Sequence, residues 1–144
     1  MRRTRRLGFI GVVLAAVTFV AGPALATPPG PGVTGTILKD VTVKDTRYVV
    51  RKITIPPGQS TGWHYHDGPV HALIESGTLS HFDSSCLLDG TFHRGDHIFE
   101  PKGAGHAHIT RNLGSRPVVM TVVYVLPAGA PLSQDVPNPG CDFQ

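Results

Sequence analysis

From residue 34 onward the chain is cut into short runs rich in β-branched residues, each closed by a turn residue, and no segment repeats apolar residues at helical spacing. That pattern restricts the chain to an all-β fold. The expected strands are "TGTILKDVTV", "TRYVVRKITI", "GWHYH", "VHALIE", "TLSHF", "CLL", "TFH", "HIFE", "HAHITRN" and "PVVMTVVYVLP", with glycines such as Gly58, Gly77, Gly95 and Gly114 between them. Asp89-Gly90 in "LLDGTF" has the composition of a two-residue hairpin turn. About ten short strands in so small a domain must pair into two sheets, as a sandwich or a small barrel. Residues 27–34 read as a flexible Pro/Gly leader, 35–126 as the β-barrel domain, and 127–144 as an irregular tail.

The first 26 residues have the layout of an export signal. "MRRTRRL" is basic, "GFIGVVLAAVTFVAG" is apolar but short for a membrane span, and "ALA" places small residues before a cleavage point at Thr27. Loss of those four arginines from a total of 13 Lys plus Arg leaves nine against ten Asp plus Glu, a net charge of −1. The basic whole-chain pI of 9.1 therefore belongs to the signal. No Lys/Arg cluster remains to neutralise a row of phosphates, so nucleic acid is excluded as a partner, as is a membrane after cleavage. The expected location is secreted or periplasmic. There Cys86 and Cys141 can form a lasting disulfide, closing a loop of about 55 residues and tethering the tail.

All eight histidines fall between His64 and His108. In an extended strand side chains two apart share a face, so His64 and His66 of "WHYH" can reach one ion while Trp63 and Tyr65 face away. "HAHITRN" repeats the arrangement with His106 and His108. Two such pairs on neighbouring strands would direct up to four imidazole nitrogens at a common centre, the donor set of a divalent metal.

With these residues in place the chain resembles the cupins, small β-barrel or jelly-roll proteins. Their first motif, G-x5-H-x-H-x3–4-E-x6-G, is met by Gly58, His64, His66 and Gly77, and their second, G-x5-P-x-G-x2-H-x3-N, by Gly95, Pro101, Gly103 and His106. The acid of the first motif is missing, since its two allowed spacings land on Val70 and His71. Either His71 takes the vacant place, making a four-histidine site, or three histidines remain. The second motif is two residues too long: His106 is in step with Pro101 and Gly103, but His108 is in step with Asn112. His108 is the expected ligand, with His106 an outer neighbour or a fourth ligand. His81, His93 and His97 are read as ordinary hydrogen-bonded histidines.

The resemblance implies a secreted cupin holding one divalent metal ion (Zn, Fe, Mn, Ni or Cu) through His64, His66 and His108, completed by His71 or His106. It implies a small-molecule ligand or substrate and metal-dependent chemistry on a small oxygenated molecule, by a dioxygenase or isomerase reaction. Tyr65, Phe82, Phe99 and Met120 are the expected apolar wall, and no Asp or Glu is assigned as a general base. The alternative is a non-catalytic metal- or sugar-binding module with a closed metal site. A homodimer is compatible with either.

Overall fold

"TRYVVRKITI" and "VVMTVVYVLP" form the centre of the fold because both alternate, presenting apolar side chains to one face. In the computed structural model, which describes residues 26–144, they are β2 (Thr46–Ile55) and β9 (Val118–Pro127), paired antiparallel along their full length. The export signal expected over residues 1–26 lies, apart from Ala26, outside the described residues.

Eight further strands complete two five-stranded antiparallel sheets. They are β1 (Thr34–Val43), β3 (His64–Tyr65), β4 (Val70–Ser76), β5 (Thr78–Asp83), β6 (Leu88–His93), β7 (His97–Glu100), β8 (His108–Arg111) and β10 (Gln134–Asp135). One sheet runs β1-β2-β9-β4-β7 and the other β10-β3-β8-β5-β6. This is an all-β jelly-roll sandwich. Val49, Ile53, Val118, Met120, Val122 and Leu126 are buried between the layers. Among the described residues no helix is long and apolar enough to cross a membrane.

The chain changes sheets at Gly77, between β4 and β5. Its φ of 81° lies in the left-handed region, and a Cβ there would meet the Pro117 carbonyl oxygen at 2.7 Å, so glycine satisfies both demands. Asn112, from the second motif, is fully buried and acts as a pin. Its Nδ2 donates to the Ile55 and Arg116 carbonyls, at 2.9 and 2.8 Å, and its Oδ1 accepts the Gly114 N–H.

Asp89-Gly90 is not a hairpin turn. Of "CLL" only Leu88 is in a strand, and it shares β6 with "TFH"; the reversal falls earlier, where Asp83 Oδ1 accepts the Ser85 and Leu87 N–H groups and Cys86 adopts a φ of 66°. Side-chain capping by Asp83 thus displaces the Asp-Gly signal. Asp89 becomes the extra residue of a β-bulge, between the pairs His81↔Gly90 and Phe82↔Leu88.

Cys86 and Cys141 are disulfide-bonded. The tail is more ordered than its composition suggests: β10 pairs with β3, and Phe143 packs 4.8 Å from Phe82 and 6.1 Å from Trp63, ring to ring.

Candidate metal centre

Four strands aim side chains at one point between the sheets. His64 of β3 stands directly opposite His108 of β8 in register, and His66 follows two residues along on the same side. β5 brings His81 against the His108 ring, 4.7 Å between centroids. From the other sheet, β7 delivers Glu100, opposite Val70 of β4. All five side chains are buried.

Each histidine is tethered through the same ring nitrogen. Nδ1 of His64 donates to the Gly62 carbonyl (2.9 Å), that of His66 to Leu132 (2.7 Å) and that of His108 to His106 (2.8 Å), while that of His81 meets Asp89 Oδ1 (2.5 Å). A carbonyl only accepts, so the hydrogen sits on Nδ1 and a neutral ring turns its Nε2 lone pair inward. Gly62 serves this arrangement directly: with φ at 74° it lies so close to the Thr27 carbonyl that no side chain fits.

The inward nitrogens face an acceptor. His66 Nε2 lies 3.2 Å from Glu100 Oε2, and the Nε2 atoms of His108 and His81 lie 3.5 and 3.8 Å from Oε1. Nε2 of His81 and of His108 are buried without a hydrogen-bond partner. Lone pairs opposed to a carboxylate call for a proton or a cation between them. Burial opposes the proton: the His64 imidazole is pushed down to about 3 by desolvation and by its neighbours His108 and His66, against the pull of Glu100. Desolvation likewise lowers His108 to about 4, again against Glu100. Burial alone would raise the Glu100 carboxyl, but close contact with His66 and the surrounding imidazoles outweighs it and holds it down at about 2.

A carboxylate ringed by imidazole nitrogens is the donor set of a divalent cation, with ring tethers of the kind that orient metal-bound histidines. Potential ligand atoms of His64, His66 and His108 lie within 4.8 Å of one another, as do those of His81, Glu100 and His108.

Of the residues singled out in the sequence, His64, His66 and His108 come together, and His71 and His106 do not join them. His71 must face outward because its neighbours Val70 and Ala72 fill the core; its ring rests against His97, with Nδ1 3.0 Å from Nε2, and against Phe99. His106 lies in a 3-10 turn, Ala104–His106, ahead of β8, so the rule of alternate faces does not reach it. Its carbonyl, not its ring, serves the site.

Two participants were not assigned from the sequence. His81 shares a face with buried Leu79 in "TLSHF", and Glu100 with buried Ile98 in "HIFE", so the same period of two carried both signals. Glu100 corrects the expectation that no acid lies beside the centre. Of the expected apolar wall Met120 lines the interior, beside Ile53, Val122 and Tyr124, and Phe99 borders the cavity next to His81 and Glu100. Phe99 is 55% exposed on the outer face, Phe82 packs on Phe143, and Tyr65 points away.

Cavities flank the cluster on both sides. One of about 350 Å³ reaches His81, Glu100 and His108 past Asp83, Asp89 and Ser84. The other, about 100 Å³, reaches His64 and His66 past Arg51, Tyr124 and Val33.

The cupin domain family matches residues 51–124, a span that contains all five buried side chains of the cluster. The chain belongs to this family. Solved structures agree in fold. A cupin domain protein of Bordetella pertussis Tohama I is 24% identical, covers 66% of this chain and 94% of its own, and superposes with a TM-score of 0.56. A double-stranded β-helix protein of Klebsiella pneumoniae is 20% identical over 77% of this chain and 90% of its own, also at 0.56. The polyketide cyclase RemF of Streptomyces resistomycificus is 19% identical over 73% and 80%, at 0.53. No curated protein matches the chain. In this cupin the acid of the first motif has no counterpart on β4, and a carboxylate reaches the cluster from β7 instead.

Proposed function

We propose that this cupin is exported and holds one divalent metal ion through His64, His66, His108 and Glu100, with His81 as a fifth donor in reach. The observation that carries the reading is the convergence of tethered histidines on a buried carboxylate, with Nε2 of His81 and of His108 buried there without a hydrogen-bond partner. The Cys86–Cys141 disulfide supports an oxidising, extracytoplasmic location.

The same site suits a reaction on a small oxygenated molecule, by dioxygen insertion or isomerisation. When bound, the ion supplies Lewis acidity toward substrate oxygens. The protein supplies the surroundings: Ile53, Met120 and Val122 exclude water from one side. Tyr124, whose hydroxyl is pushed up to about 12 by burial, stays a neutral donor. Asp89 orients His81, the member of the cluster next to the larger cavity.

Metal analysis of the purified protein, with His64→Ala and His108→Ala as controls, tests the reading. Near-stoichiometric metal in the wild type and its loss in both variants is expected. A protein that neither carries nor takes up metal removes the proposal. A second reading, a closed non-catalytic binding module, is favoured by one feature: five protein donors are enough to fill a coordination sphere. Water exchange on the loaded protein separates the two, since only a site with an open position relaxes solvent strongly.

A further inference from the structure

Arg51 is a basic residue beside the centre whose charge no carboxylate on the inner face matches among the described residues. It lies on β2 in register with buried Val122 of β9, so its side chain enters the interior between Val49 and Ile53. Its Nε is buried without a hydrogen-bond partner, and no Asp or Glu pairs with it among the described residues. On the neighbouring β1, Gly35, which pairs with Ile53, leaves the space the guanidinium occupies; a Cβ there would collide with it. Arg51 shares the cavity of about 100 Å³ with His64, His66 and Tyr124.

A cation held against apolar walls is costly unless an anion meets it. Glu100 is already engaged with His66 and His108. The two cavities differ in sign: Asp83, Asp89 and Glu100 line the larger one and disfavour an anion, whereas Arg51 lines the smaller one. Thr61, in the same wall, has its hydroxyl occupied by Gly62 and Thr110, so the guanidinium is the charged donor of this cavity, with the hydroxyls of Tyr124, Thr34 and Ser133 around it.

We propose that Arg51 is the specificity-determining residue of the centre and binds the carboxylate of a small hydroxy- or oxo-acid, whose neighbouring oxygen faces His64 and His66. This rests on the metal-binding reading above and names its substrate class. The planar fork of a guanidinium matches a carboxylate in two parallel hydrogen bonds. A phosphate dianion would bring a second charge for which this cavity offers no second Lys or Arg.

Calorimetric titration of the metal-loaded protein with lactate and pyruvate, against lactamide and pyruvamide, and with inorganic phosphate, tests the assignment. At least one acid is expected to bind about tenfold or more tighter than its amide and tighter than phosphate. Arg51→Gln is expected to bring the acid-to-amide ratio to about one with metal content unchanged, and Arg51→Lys to keep part of it. Acids binding no tighter than amides, phosphate binding tightest, or a ratio unmoved by Arg51→Gln would each overturn the proposal. Should Arg51→Gln not fold, the wild-type ratio decides alone. The titration repeated on metal-free protein still reads Arg51, so failure of the metal reading and failure of this one are separate results.

Discussion

Val70 and Glu100 stand opposite each other in the β4–β7 ladder, both buried and both directed into the sandwich. Val70 occupies a place where the first cupin motif carries its acid, and Glu100 brings a carboxylate to the same region from the neighbouring strand. Opposite positions in an antiparallel pair lie about 5 Å apart at Cβ, so an acid can move across the ladder and still reach the same ion.

That relationship predicts a partial rescue. Glu100→Val should weaken metal binding about tenfold to a hundredfold, and adding Val70→Glu to the same chain should restore part of the loss. Competition titrations against a metal chelator read both; a double variant no better than the single would mean that the Glu100 carboxylate does not act on the ion.

His71 and His81 should behave oppositely despite their similar surroundings in sequence. His71→Ala, on the outer face of β4, is expected to leave metal affinity within about twofold. His81→Ala removes a buried Nε2 beside Glu100 and should lower it. The same titration compares the two, and equal effects would contradict the geometry.

Acid should destabilise the metal-free protein from the histidine range downward. His64 and His108 are depressed to about 3 and about 4, below their ordinary 6.5, so on unfolding they take up protons that the folded chain excludes. Their contribution is present above pH 6.5 and is lost as pH falls toward 4, by about 2 kcal/mol for each between pH 7 and 5. Glu100, held at about 2 against 4.5, adds a further loss with the same sign below pH 4.5. Urea unfolding of chelator-treated protein at pH 7, 6 and 5 measures this; a flat stability would show that these rings are not buried neutral.

Reduction of Cys86–Cys141 should affect both stability and the centre. The disulfide closes a 55-residue loop, for which chain entropy gives roughly 4 kcal/mol. It also holds the tail whose Leu132 carbonyl orients His66 and whose β10 pairs with β3. A Cys86→Ser/Cys141→Ser variant should melt at lower temperature and bind metal more weakly, whereas lower melting with unchanged affinity would uncouple the tail from His66.

The β1, β2 and β7 boundaries could be read from the chain, because β-branched residues between turn residues mark a strand wherever it ends up. So could the common face of His64 and His66, since alternation along a strand is local geometry. Which parity of each strand faces inward was not local. Val70 and Ala72 claim the core side of β4 and turn His71 out, while Leu79 and Ile98 carry His81 and Glu100 inward with them. Asp89, the strongest turn signal by composition, became a bulge once Asp83 capped the preceding reversal. Local sequence determines strands and the spacing of side chains along them; the pairing of distant strands decides which spacings meet, because register and inward parity are set by the packing of both sheets against one core.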